Sequence, residues 1–206
     1  VSLVNPAARP ETFISVDIET AGPTPREYSL LSIGACLVHD PDETFYVELK
    51  PVTSAVNERA MAVGGFTLEA LAESGVEPRA AMERFDAWIA AAVPEGHVPV
   101  FVAFNAVFDW MFVQDYFQRY LGRNPFGHSG LDVKAYYMGM TGETWARTSM
   151  RYLSPRYLGG THLSHNALHD ARDQALIFRT LLEEATRHPR AQEDRMTGER
   201  EQPDDH

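Results

Sequence analysis

The sequence predicts an α/β domain built on a mixed central sheet flanked by helices. Three observations carry this reading. Strand-like runs over 12–20, 29–38 and 43–49 are separated by short turns, which favours antiparallel pairing as a meander. The wholly apolar run VPVFVAF, 98–104, has the pattern of a central strand buried on both faces. Helix-like segments surround that run, so helices and strands alternate in the second half of the chain.

Each element has its own local reason. The first strand ends at the Gly- and Pro-rich turn AGPTPRE, 21–27. Short helices are expected over 55–63 and 67–73, on either side of Gly64 and Gly65. A longer helix, 78–93, begins with Pro78, which suits a first helical turn, and puts Ala81, Phe85, Trp88 and Ile89 on its apolar face. After the central strand come a helix over 106–121, a mixed segment with turns over 131–160, and a last helix over about 166–187. No internal repeat interrupts this order. Residues 1–11 read as an N-terminal extension, 12–187 as one domain, and 188–206 as a charged tail expected to be disordered.

Composition narrows the class. With 206 residues and 44% hydrophobic content, the chain is long enough for one sizeable core. The single cysteine, Cys36, lies in an apolar run, so no disulfide framework is expected and a reducing cytoplasm is the natural setting. The opening VSLVNPAARP lacks the charged and apolar regions of a signal peptide, and the chain starts at Val, as a processed or trimmed product would. No apolar run reaches the roughly 18 residues that span a membrane. A net charge of −11 argues against a broad basic surface that grips duplex nucleic acid. Much of that charge is local, because 193–206 holds six acids and two arginines.

The chemistry centres on SVDIET, 15–20. Alternation along a strand turns Ile14, Val16 and Ile18 to one face and sets Asp17 beside Glu19 on the other. Neighbouring carboxylates repel, and a divalent cation is the simplest compensation; two solvated acids on an edge strand are the plainer account. In NAVFD, 105–109, Asn105 is a candidate helix N-cap, and Asp109 heads an apolar stripe of Phe112, Val113 and Tyr116. An acid favoured by the helix dipole would explain Asp109 equally well. In HNALHDARDQA, 165–175, His165 and Asp170 are five apart, about 140° around a helix. His165 therefore serves a shared site from the loop before the helix, with Asn166 as cap and Asp170 in the first turn. A surface histidine is the alternative, with His162 and His169 close by. Asp173 reads as a helix-surface acid.

Taken in order, these motifs resemble the DEDD exonucleases of the histidine type, a family that includes ribonuclease T, oligoribonuclease and the proofreading subunit of bacterial replicative polymerase. Asp17 and Glu19 match its first motif, Asp109 its second, and His165 with Asp170 its third. AVGGFTLEAL, 62–71, is similar to a stretch common between the first two motifs, and Leu131-Asp132 to a further frequent acid that is not a metal ligand. The resemblance covers about 12–185 and implies a ribonuclease H-like fold and a metal-dependent 3′–5′ exonuclease. It also implies two magnesium or manganese ions, with Asp17 touching both, Glu19 and Asp170 completing one site, and Asp109 the other. Neutral His165 would act as general base, a role that histidine's ordinary pKa of roughly 6.5 suits. The product would be a nucleoside 5′-monophosphate released from the 3′ end of a single strand or short oligonucleotide, with RNA slightly favoured.

Two departures bear on substrate. Phe104 stands where many members have His, and Ala21-Gly22-Pro23 follows Thr20 where many have Thr-Gly-Leu. Thr20, Ala21, Gly22 and Asn105 are the expected contacts to the terminal nucleotide. Over 134–157, Lys134, Arg147, Arg151 and Arg156 face Glu143 alone, interleaved with Tyr136, Tyr137, Trp145, Tyr152 and Tyr157. Cations for phosphates and aromatic faces for bases are what a single strand requires. Arg147, Arg151 and Arg156 are thus expected to hold its backbone, unless the segment is an ordinary solvated surface. A DNA proofreading or repair exonuclease, and a catalytically silent ribonuclease H-like binding module, are the alternatives. Several such relatives are dimers, which leaves a homodimer open.

Overall fold

The structure is a computed structural model that describes residues 9–160 and 164–187; most of the expected N-terminal extension, His162 and the charged tail over 188–206 lie outside the described residues. Strands β1 (Glu11–Thr20), β2 (Leu30–Leu37) and β3 (Thr44–Glu48) form the expected antiparallel meander. β4 (Val98–Ala103) pairs in parallel with β1, and a short β5 (Gly130–Asp132) pairs in parallel with β4, giving the order β3-β2-β1-β4-β5. Seven α-helices are seen among the described residues: α1 (Glu58–Gly64), α2 (Leu68–Ser74), α3 (Pro78–Ala92), α4 (Ala106–Leu121), α5 (Val133–Thr141), α6 (Met150–Tyr157) and α7 (Ala167–Arg187). None of them is long and apolar enough to cross a membrane.

Alternation along β1 sorts its side chains between two layers. Ile14, Val16 and Ile18 join a core with Phe85 and Ile89 of α3 and with Phe112, Val113 and Tyr116 of α4. Removing each such large side chain from water contributes roughly 1.5–3 kcal/mol, which is why this face fixes the register. Tyr116 is fully buried, and its hydroxyl accepts the Leu30 N–H at 2.9 Å, so its polar end costs little there. The opposite face of the sheet packs Cys36 and Val102 against α5, α6 and α7. Phe13 meets Phe178 of α7 edge-on, with ring centroids 5.4 Å apart. Asp17 and Glu19 share the Phe13 face and therefore look toward α7. Cys36 is a buried free thiol, as its apolar setting implied.

The segment 131–160 is more regular than the sequence implied. β5 has three residues, too few for a period-2 signal to register. α5 begins because Oδ1 of Asp132 accepts the Ala135 N–H at 2.8 Å, and it ends at Gly142 in the left-handed conformation. α6 carries Pro155 within eight residues, which hid it from a propensity reading. Asn105 also departs from expectation. It occupies the N-cap position of α4, but its backbone is left-handed (φ 70°) and its side chain makes no capping bond. Asp132 supplies that cap instead, with Oδ2 accepting the Ala106 N–H at 2.6 Å.

The seat of α7 depends on one glycine. Gly34 of β2 lies opposite Asp17 in the ladder, and a Cβ built on it would sit 2.2 Å from the backbone of Ala167 and Leu168. No side chain fits, so the first turn of α7 rests directly on the sheet. Ala167, Ala171 and Ala175 are fully buried and maintain the close approach. Gly34→Ala is expected to push that turn outward and cost at least the roughly 1–3 kcal/mol of core overpacking. The check is a thermal melt beside a hydrolysis assay: both melting temperature and rate should fall while the far-ultraviolet spectrum stays α/β. An unchanged rate would show that α7 need not touch the sheet there.

Candidate active site

The five expected catalytic residues come from three chain segments that meet beyond the carboxyl ends of β1 and β4, where open α/β sheets bind ligands. Asp17 and Glu19 lie on β1, Asp109 in the first turn of α4, His165 in the loop before α7, and Asp170 in the first turn of α7. The β1–β2 ladder shifts register between Glu19 and Thr20, a bulge of the kind that re-aims side chains at sheet ends. Ligand atoms of Glu19, His165 and Asp170 all lie within 4.8 Å of one another.

The loop before α7 is built around Asp170. Its Oδ1 accepts the Ser164 N–H at 2.8 Å and the Ser164 hydroxyl at 3.1 Å, and its Oδ2 accepts the His165 N–H at 3.1 Å. Asn166 caps the helix as expected, with Oδ1 accepting the His169 N–H at 3.1 Å. His165 is exposed and left-handed, with φ 54°. It and Asn105 are the two non-glycine residues with positive φ among those described, and both border the acids. Such backbone persists where surrounding structure over-determines it, which is common at functional sites.

Electrostatics set this cluster apart from an ordinary acidic surface. Burial holds the Asp17 carboxyl well above the usual carboxylate range, and the charges of Asp109, Asp170 and Glu19 raise it further, against the Gln174 amide. Burial is also the largest cause at Asp109, which the backbone amides of Asp109 and Ile18 partly hold down while Glu19 and Asp132 raise it. Glu19 is pushed up to about 7 by burial and then by Asp170. Among the described residues, none of the four acids pairs with a lysine or arginine. Converging oxygen donors without a counter-charge fit a hard divalent cation.

Gln174 is a residue of the site that sequence reasoning missed. It is 1% exposed, on the face of α7 that meets the sheet. Its Nε2 donates to Oδ1 of Asp17 at 2.5 Å, and its Oε1 accepts the Phe104 N–H at 2.9 Å. A glutamine one turn beyond Asp170, on the alanine-lined face, was the available signal.

The expected substrate contacts fare unevenly. Ala21 is fully buried against Leu31 and Leu71, and its N–H and C=O bond to Ser29 and Asn57. Gly22 is buried under the Tyr28 ring, and the Thr20 hydroxyl donates to the Gly22 carbonyl at 2.9 Å. The arginines are not without acidic neighbours: Arg147 lies 3.7 Å from Glu143, and Arg156 lies 3.4 Å from Glu184 of α7. Glu184 could not be foreseen as a partner because it lies 28 residues from Arg156 in sequence. Arg151 is exposed.

A mixed sheet that presents four acids and a histidine at its carboxyl edge defines a nuclease of the hydrolase class. The chain belongs to the exonuclease family, whose family model, described as Exonuclease, matches residues 14–178. It is 45% identical over 171 residues to the 3′–5′ DNA exonuclease Cap18 of Escherichia coli, covering 83% of this chain and 91% of that protein. The fold is similar to the nuclease domain of 3′hExo, a DEDDh family member bound to rAMP (TM-score 0.69, 14% identity, 86% of this chain and 94% of that one). It is also similar to E. coli ExoI in a zinc-bound complex with single-stranded DNA (TM-score 0.64, 21% identity, 92% of this chain and 43% of that one). The fold is accordingly ribonuclease H-like, as the motif order implied.

Two outcomes follow from the electrostatics. Glu19 has a folded-state pKa above its ordinary 4.5, so the stability it contributes in metal-free protein is fully present below about 4.5 and is lost as pH rises through about 7. Melts in chelator should show Glu19→Gln gaining on the wild type across that window, and magnesium should erase the gain by stabilising the ionised wild type. A gain that shrinks as pH rises would contradict the assigned cause. For Gln174→Leu, which orphans the Phe104 N–H, a loss of about 1–3 kcal/mol is expected. Titration calorimetry should also show weaker divalent-ion binding, because Asp17 loses its orienting donor. Unchanged ion affinity would reduce Gln174 to a packing residue.

Proposed function

We propose that this protein hydrolyses phosphodiester bonds from the 3′ end of single-stranded DNA and releases nucleoside 5′-monophosphates. The observation that carries the reading is the meeting of Glu19, His165 and Asp170 ligand atoms within 4.8 Å, beside Asp17 and Asp109. The 45% identity to a DNA exonuclease supports DNA over the RNA that the motifs slightly favoured. The catalytic unit is placed at 12–187.

Asp17, Glu19, Asp109 and Asp170 would hold two divalent cations, magnesium or manganese, with Asp17 shared. When bound, such ions supply Lewis acidity toward phosphate oxygens and lower the pKa of a bound water. His165 receives the proton of the attacking water on a ring nitrogen, and its backbone bond to Asp170 keeps the imidazole over the acids. The water oxygen bonds to phosphorus, the bond from phosphorus to the 3′ oxygen breaks, and that oxygen leaves on the shortened strand. Asn105, whose side chain is not spent on capping, is assigned to hydrogen-bond the terminal nucleotide. Thr20 and Gly22 support the turn beneath it rather than recognising a base. Arg147 and Arg151 are assigned to the strand's phosphates, because an exposed ion pair such as Arg147–Glu143 is worth under about 1 kcal/mol and yields readily. Arg156 is the outermost contact. Its partner Glu184 lies 14 residues beyond Asp170 on α7, so about 21 Å along the helix axis.

The test uses matched 5′-labelled DNA and RNA oligonucleotides with magnesium and with chelator. The expected result is a metal-dependent ladder that shortens from the 3′ end, faster on DNA. Asp17→Asn should abolish it. His165→Ala should slow it about 10²- to 10⁴-fold, the usual cost of losing a general base, with ion binding largely retained. Substantial magnesium-dependent hydrolysis by Asp17→Asn would sink the assignment.

A further inference from the structure

Lys134, Trp145 and Tyr152 have no part in the roles assigned above, and Arg147 has so far been given only a phosphate. Trp145, in the 3-10 turn between α5 and α6, is 51% exposed, an uncommon placement for the largest apolar side chain. Lys134, at the start of α5, sits with Nζ 4.1 Å from the centre of the Trp145 ring and 6.0 Å from that of Phe104. Phe104 is in turn one residue from Asn105, and its N–H is held by Gln174, whose other end holds Asp17. A continuous path of contacts therefore runs from Asp17 through Gln174, Phe104 and Lys134 to Trp145. Beyond it Arg147 lies 5.7 Å from the ring of Tyr152, which is 45% exposed, and repeats the pairing of a cation with an open aromatic face.

We infer that Trp145 with Lys134, continued by Tyr152 with Arg147, forms a track that stacks the bases and binds the phosphates of a single strand inward from its cleaved 3′ end. The inference rests on the proposed exonuclease reading for the direction of the strand, and it adds the part of the substrate that the catalytic residues do not touch. Charge complementarity selects the occupant. The protein carries −11 overall, yet this stretch has an excess of cations, which draws phosphates and repels a basic protein surface. Alternation of aromatic and cationic side chains matches the alternation of base and phosphate along a single strand. Duplex DNA, whose bases are stacked on one another, leaves Trp145 nothing to stack upon.

Binding and chemistry are measured separately. Fluorescence anisotropy follows labelled oligothymidylates, from dinucleotide to about a dozen residues, on the inactive Asp17→Asn protein with and without Trp145→Ala, Trp145→Phe or Lys134→Met. Turnover of the nitrophenyl ester of thymidine 5′-monophosphate, too small to reach the track, reports the catalytic centre in proteins with Asp17 intact. Trp145→Ala should weaken binding of the longer strands about 5- to 150-fold, the range for one base stacked on an aromatic ring, and leave the dinucleotide unchanged. Trp145→Phe should restore most of the loss, and Lys134→Met should lower the salt slope by about 0.7, the value for one single-strand phosphate. The small ester should be turned over equally by all three. Equal binding of every length by Trp145→Ala overturns the track while ester turnover leaves the exonuclease reading intact. Loss of ester turnover together with strand binding also overturns it, by placing Trp145 in the architecture of the catalytic centre. A wild type that turns over no ester, yet binds strands through Trp145, keeps the track and removes the chemistry.

Discussion

Four carboxylates brought together without a basic partner among the described residues are the constraint on which this molecule is built. Left to themselves, Asp17, Glu19, Asp109 and Asp170 would drive their segments apart; burial first, and then their mutual charge, raises the proton affinities of Asp17, Glu19 and Asp109. The surrounding fold supplies the opposing free energy. Gly34 and the alanines of α7 let one helix sit on the sheet. Phe112, Val113 and Tyr116 anchor α4 in the core. Backbone amides of Ser164 and His165 clasp Asp170. Each device is cheap in itself, and together they hold a geometry that is unfavourable until a cation neutralises it.

The proposed catalytic residues were legible because each obeys a local rule. Period-2 alternation puts Asp17 beside Glu19 on β1, and the five-residue spacing of His165 and Asp170 excludes a shared helical face and sends the histidine to the loop. What escaped the sequence is what couples distant segments. Gln174 is 157 residues from Asp17 and 70 from Phe104, and no periodicity reports a bond of that span. Asp132 was noticed as a frequent acid, but its capping of two helices follows only once β5 lies beside β4. The partner of Arg156 escaped for the same reason, since its acid lies on another helix.

The acidic balance of the chain and its anionic substrate are compatible because charge is distributed by role. Acids gather where the proposed cations would be held, and the basic excess lies over 134–157, on α5, α6 and the turn between them. That arrangement favours a flexible end that can thread along a narrow strip over a rigid duplex that needs a broad one.

The carboxylate of Asp132 has a mechanical consequence. Its two oxygens take one N–H each from Ala106 and Ala135, the first residue of α4 and the third of α5. α4 carries Asp109 and α5 carries Lys134, so the two helices share a single bearing. Asp132 is also the last residue of β5, so a load applied to α5 is shared between α4 and that strand. The spacing between the proposed cutting point and the proposed strand path is thus tied in part to the reach of one aspartate.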